Sequence, residues 1–166
     1  MNTIHLEKKI DATVSRCFSA FRSLKTLHRW YDSRAQMSGF RVGAEVHASY
    51  FPGYRIAVVI PNHLLVQEYT TVIDGIGVWS FVTRGEASRI VFDHLASGNR
   101  GKEFHARMFH WQGLMENLAA VCESRTIPFV EGAYVGRLPR GVRFATCDQH
   151  VRAVATRSRA AQGQGV

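Results

Sequence analysis

From Lys102 to Glu123 the apolar residues Phe104, Met108, Trp111, Met115, Leu118 and Cys122 recur at spacings of 4, 3, 4, 3 and 4. That period is one face of an α-helix about six turns long. Leu114, Ala119 and Val121 widen the face, while Lys102, Glu103, Arg107, Gln112, Glu116 and Asn117 are expected elsewhere on the helix surface. A coiled coil would show a narrower seam with flanking charges, so the pattern calls for burial against the rest of the same domain.

What precedes this helix supplies a sheet. Residues 3–10 alternate as a strand with Ile4, Leu6 and Ile10 inward, and Asp11 or Thr13 can cap a helix carrying Val14, Phe18 and Phe21 on one stripe. A second short helix spans about residues 23–31, with Leu24, Leu27 and Trp30 on its stripe. After Ser38-Gly39 the pattern becomes extended, through Phe40–Val46 toward Phe51 and the turn signal Pro52-Gly53. Strands are expected at Tyr54–Ile60, Leu64–Ile73, Val78–Thr83 and Arg89–Leu95, with Asp74-Gly75 ending one of them and Gly75-Ile76-Gly77 read as a hairpin turn. Short Gly-, Pro- and Asp-containing connections make the series an antiparallel meander. The expected class is therefore α+β.

The net charge of +8 raises nucleic-acid binding, but its distribution argues against a specific reader. Residues 1–132 hold 15 Lys/Arg against 12 Asp/Glu, whereas residues 133–166 hold six Arg and only Asp148. The sequence thus divides into a domain, 1–128, and a basic, weakly structured tail, 129–166, in which a short helix near Asp148–Arg159 has only a thin apolar face. No run of about 18 apolar residues suggests a membrane span, and the N-terminus lacks the apolar core of a signal peptide, so the expected location is cytoplasmic. Cys17, Cys122 and Cys147 show no C-x-x-C spacing, which indicates neither a disulfide framework nor a zinc knuckle.

Several segments resemble the START-like superfamily, also called helix-grip or SRPBCC, in particular its bacterial branch of homologues of the heat-shock ATPase activator. Lys9–Phe21 resembles its opening strand and first helix, and Leu27-His28-Arg29-Trp30-Tyr31 its tryptophan at the end of the second. Phe40–Ala44 is similar to its Val-Gly-Gly turn, Val59–Leu65 to its Pro-x-x-x-Leu connection, and Ser88–His94 to its Thr-Arg-Leu-Thr-Leu-Thr-His strand. The helix after residue 102 corresponds to the Gly-Trp-x-x-x-Leu-x-x-Leu helix. Coverage is about residues 3–125, with Thr13 replacing a usual Pro and Gly43-Ala44 a double Gly. The resemblance implies a helix-grip fold, a curved antiparallel sheet around the long helix, enclosing a cavity.

Strand alternation nominates the cavity lining. Ile90, Phe92 and His94 share one face, as do Trp79, Phe81 and Thr83, and Tyr69 with Thr71 and Ile73 continues it unless Val66-Glu68-Thr70-Val72 faces inward instead. Trp30 would close one end, and Met108, Trp111 and Met115 would form the lid. The candidate ligand-binding residues are Trp30, Tyr69, Trp79, Phe81, Phe92, His94, Met108 and Trp111, suited to an apolar partner such as a lipid or an aromatic, polyketide-like molecule. The alternative is that these aromatic residues simply fill a solid core.

His94 is either a hydrogen-bond partner or general acid/base toward a ligand, or a core histidine satisfied by a neighbour. Adjacent Asp93 points to the opposite face and cannot pair with it. His105 and His110 lie about 140° apart on the helix, poor geometry for a shared metal. His28 stands either at a cavity mouth or in solvent. No catalytic constellation, metal site or cofactor motif is read, and Cys122 behaves as a small apolar residue. Binding or carriage of an apolar small molecule is the leading expectation. A cyclase- or aromatase-like enzyme using the same cavity and a chaperone-ATPase interaction domain are the alternatives, and a homodimer is left open.

Overall fold

The computed structural model describes residues 2–70, 74–96, 101–130 and 133–134. The remainder of the expected tail, including Cys147 and the segment Asp148–Arg159, lies outside the described residues.

β1 (Asn2–Ile10) leads into α1 (Val14–Arg22) and α2 (Leu24–Trp30). Thr13 caps α1 by accepting from the Arg16 backbone N–H at 3.3 Å, and Ser23 caps α2 through the Thr26 N–H. Val14, Cys17, Phe18, Ala20 and Phe21 bury one face of α1, as the stripe requires. In α2 only Leu27 and Trp30 are buried, and Leu24 remains exposed.

Six further strands complete the sheet: β2 (Gln36–Met37), β3 (Glu45–His47), β4 (Tyr54–Ile60), β5 (Leu64–Thr70), β6 (Asp74–Arg84) and β7 (Ala87–Ala96). Their order is β1-β7-β6-β5-β4-β3-β2, and every neighbouring pair is antiparallel. The long helix, α3 (Gly101–Cys122), packs against β1 as well as α1 and α2. This is the helix-grip architecture, α+β, with the core between the inner sheet face and α3. A two-stranded hairpin, β8 (Phe129–Val130) with β9 (Ala133–Tyr134), follows. Phe129 is itself buried, so core packing extends one residue beyond the expected boundary at 128.

Three readings of the sequence are corrected. Asp74-Gly75 and Gly75-Ile76-Gly77 form no turn; they begin β6 and pair with β5. These glycines serve close approach. A Cβ on Gly75 (φ +114°) would meet the Leu95 carbonyl oxygen, and one on Gly77 would lie 2.6 Å from the Tyr69 hydroxyl. Residues 40–43 turn at Gly43 (φ +82°) and do not extend a strand, leaving only Glu45–His47 paired there. Glu116 and Asn117 are buried, at 6% and 2% exposure, because every residue of α3 from Gly113 onward is enclosed. No helix among the described residues is long and apolar enough to cross a membrane.

Candidate functional site

The strand register sets the inner face row by row. Ile4, His94, Gly77, Gln67 and Ile56 lie side by side across five strands, next to a row containing Leu6, Phe92, Trp79 and Leu65. Leu65, Gln67 and Tyr69 are buried while Val66 and Glu68 are only half-buried, which settles the phase of β5 with Tyr69 inward. Thr71 and Ile73 lie outside the described residues.

Seven of the eight nominated side chains are at most 6% exposed, and Met108 is half-buried against the core. They divide into two groups. Trp30, Trp79 and Phe81 belong to an aromatic cluster under α1. There Phe21 packs edge-on against all three at 4.8–5.6 Å, and Phe18 meets Phe81 at 5.2 Å. Trp30 donates its indole N–H to the Ala20 carbonyl. These rings fill space between the sheet and α1.

The second group lies under α3. Tyr69, Phe92 and His94 all approach the Trp111 ring, with centroids 5.2, 4.7 and 5.3 Å away. Phe92 joins the groups, since it also packs at 4.2 Å from Trp79. This part of the wall carries several polar handles. Gln67, 1% exposed, accepts from the Tyr69 hydroxyl at 2.7 Å and the Trp79 indole at 2.8 Å. His94 Nε2 lies 3.2 Å from the Asp74 carbonyl oxygen. A carbonyl only accepts, so Nε2 carries the hydrogen. The Asp74 carboxylate also faces Arg107 of α3 at 3.6 Å, tying the helix to the start of β6.

Two buried atoms at this end are unsatisfied. Trp111 Nε1 and His110 Nε2 have no hydrogen-bond partner among the described residues. His110 packs on Trp111 at 5.2 Å and on Phe51 at 4.7 Å. Burial pushes its imidazole down to about 4, with neighbouring His94 a second cause, so the ring is neutral at pH 7. Burial also raises the Tyr69 phenol well above its ordinary value, which keeps it a neutral donor.

Asp93 faces outward and pairs with His5 at 2.6 Å, leaving no Asp93–His94 dyad. His28 is half-buried, with Nε2 2.7 Å from the Ala35 carbonyl oxygen, and edges a hollow of about 170 Å³ beside α2. No group of three metal-ligating side chains occurs among the described residues.

Sequence reasoning passed over Gln67, although it shares the strand parity of Tyr69. It treated His110 only as a potential ligand for metal, while position 110 directly precedes the stripe residue Trp111. Asp32 carried no local signal at all. It is 2% exposed and gathers the backbone N–H groups of Ser49, Tyr50 and Phe51, fixing the loop before β4.

No family model and no curated protein matches the sequence. Solved structures do resemble it. The Aha1 dimer from Colwellia psychrerythraea is 16% identical, covers 74% of this chain and 97% of its own, and has a TM-score of 0.65. CalU16 from Micromonospora echinospora is 16% identical over 78% of each chain, with a TM-score of 0.65. DynU16, from the dynemicin biosynthetic locus, is 17% identical over 75% of this chain at a TM-score of 0.65, and the match spans 48% of DynU16. These likenesses show the fold, which is the helix-grip fold that the sequence resemblance implied.

Proposed function

We propose that the domain binds an apolar small molecule, a lipid or an aromatic, polyketide-like compound, between the inner sheet face and the first half of α3. The observation that carries this reading is the buried indole N–H of Trp111, which has no acceptor among the described residues and is set among Tyr69, Phe92 and His94. Buried donors are rarely left unmade, because each costs roughly 1–3 kcal/mol. A ligand carbonyl or hydroxyl oxygen would satisfy this one, while the ring faces bury the rest of the molecule.

The site divides the eight nominated residues by role. Tyr69, Phe92, His94, Met108 and Trp111 would contact the ligand, while Trp30, Trp79 and Phe81 support the wall from the packed end. Met108 is suited to the lid, since it is half-buried on the part of α3 that is less enclosed and its unbranched side chain adapts to varied shapes. Binding is favoured over turnover because Asp93 turns outward to His5, on the face opposite His94, and Tyr69 is held as a weak acid. Self-association is proposed as a second partnership, because Val58, Ile60, Ile76 and Val82 leave apolar surface exposed on the outer sheet face. Light scattering across a concentration series tests it.

Ligand titration tests the main reading. Oleate and an aryl ketone such as 2-acetylnaphthalene serve as probes, each offering an oxygen acceptor on an apolar body. Trp111→Phe should weaken a probe that binds by about tenfold, the worth of one hydrogen bond. His94→Ala should leave affinity largely intact. Equal affinity for Trp111→Phe and the unaltered chain would place any binding elsewhere.

A further inference from the structure

His110 stands one residue before Trp111 on α3, and its Nε2 is the other buried nitrogen at this end that has no partner among the described residues. The ring is held from several sides. Phe51 packs on it at 4.7 Å, Trp111 meets it edge-on at 5.2 Å, and Phe129 lies at 6.4 Å. Phe51 is itself anchored, since its backbone N–H donates to the buried Asp32 carboxylate at 3.2 Å. The imidazole thus occupies a fixed aromatic frame with Nε2 shut off from solvent. A phenylalanine would fill the same frame and leave no polar atom unpaired, whereas a nitrogen left unsatisfied is a standing cost.

We propose that His110 Nε2 is a second polar anchor of the ligand site, and that it and the Trp111 N–H together select a hydroxylated aromatic molecule, a phenol-like compound. This inference rests on the Trp111 reading above and narrows it. The indole only donates, so it calls for an acceptor. Nε2 of a neutral imidazole is bare in one tautomer and protonated in the other. A hydroxyl answers both anchors, because it carries one hydrogen and two acceptor lone pairs. Its oxygen accepts from Trp111, and its hydrogen goes to the bare Nε2.

Other oxygen groups fit less well. A ketone or ether oxygen satisfies Trp111 but brings no hydrogen for His110. A carboxylate also only accepts, and it would carry its charge into an apolar frame. The walls favour a flat body on the hydroxyl, since Tyr69 and Phe92 approach the Trp111 ring at 5.2 and 4.7 Å and aromatic faces pack well on one another.

The test compares 2-naphthol with 2-methoxynaphthalene, which keeps the oxygen and removes its hydrogen. Both are titrated calorimetrically into the unaltered full chain, His110→Phe and Trp111→Phe. The unaltered chain should bind 2-naphthol about tenfold more tightly than the ether, the worth of one hydrogen bond. His110→Phe should abolish that preference by weakening 2-naphthol alone, whereas Trp111→Phe should weaken both probes. Should His110→Phe fold poorly, the ¹⁵N resonance of His110 Nε2 in the unaltered chain reads the same contact, moving with 2-naphthol and staying fixed with the ether. Equal affinity for the two probes, or a hydroxyl preference that survives His110→Phe, would overturn the inference. A loss shared by both probes in Trp111→Phe would then leave the binding reading standing. Failure of both probes to bind the unaltered chain would overturn the two together.

Discussion

Replacing Gln67 by Leu removes one acceptor while nearly conserving side-chain volume. In the intact protein Gln67 Oε1 receives both the Tyr69 hydroxyl and the Trp79 indole N–H, at 2.7 and 2.8 Å. Both donors would remain buried, since Tyr69 and Trp79 are 6% and 0% exposed. Each unmade buried bond costs about 1–3 kcal/mol, and the more favourable burial of Leu offsets part of that. The net loss should be about 2–4 kcal/mol, a large share of the roughly 5–15 kcal/mol available to a domain. Urea denaturation should show a lower midpoint with an unchanged slope. Tyr69→Phe should cost less in the Gln67→Leu background than alone, because it then deletes a donor already orphaned. The double-mutant cycle should give a coupling of at least about 1 kcal/mol. A loss below about 1 kcal/mol with no coupling would refute the idea that Gln67 is the polar anchor of this wall.

Three further outcomes are expected. Gly77→Ala places a methyl 2.6 Å from the Tyr69 hydroxyl and 2.9 Å from the Phe92 ring, so denaturation should show a loss of about 1–3 kcal/mol and probe affinity should fall with it. Asp32→Ala strands the three N–H groups of residues 49–51 and should cost about 3 kcal/mol or more by denaturant titration, with Asp32→Asn recovering part. His110 takes up its proton near pH 6.5 when unfolded but only near 4 when folded, so its contribution is complete above pH 6.5 and is lost as pH falls toward 4. That loss reaches about 3 kcal/mol, and His110→Phe should show a correspondingly shallower fall in stability between pH 7 and 4.

The fold was legible where periodicity was strict. The 4-3-4-3-4 spacing places α3, and alternation turns Phe92 and His94 inward on β7. It failed where a long-range neighbour determines local structure. Gly75 and Gly77 look like turn residues by composition, yet they are strand residues that admit the Leu95 carbonyl and the Tyr69 ring. Glu116 and Asn117 look like solvent residues on a helical wheel, yet the second half of α3 is covered on every side. Asn117 there bonds the backbones of Trp30 and Phe129, and Glu116 receives Lys8 at 2.6 Å. The aromatic set was read from sequence as one lining. Its division into a packed end and a polar-handled end depends on ring-to-ring distances between distant segments, which no spacing encodes.

The three indole N–H groups supply the most direct measurement of the central claim. Trp30 and Trp79 already donate to Ala20 and Gln67, whereas Trp111 has no acceptor among the described residues. In a ¹⁵N–¹H correlation spectrum, titration with oleate or 2-acetylnaphthalene should move the Trp111 indole resonance downfield as it gains a bond. The Trp30 and Trp79 signals should stay nearly fixed. If both probes reach saturating concentration and the Trp111 resonance does not move, or only Trp30 and Trp79 respond, the proposed site is wrong.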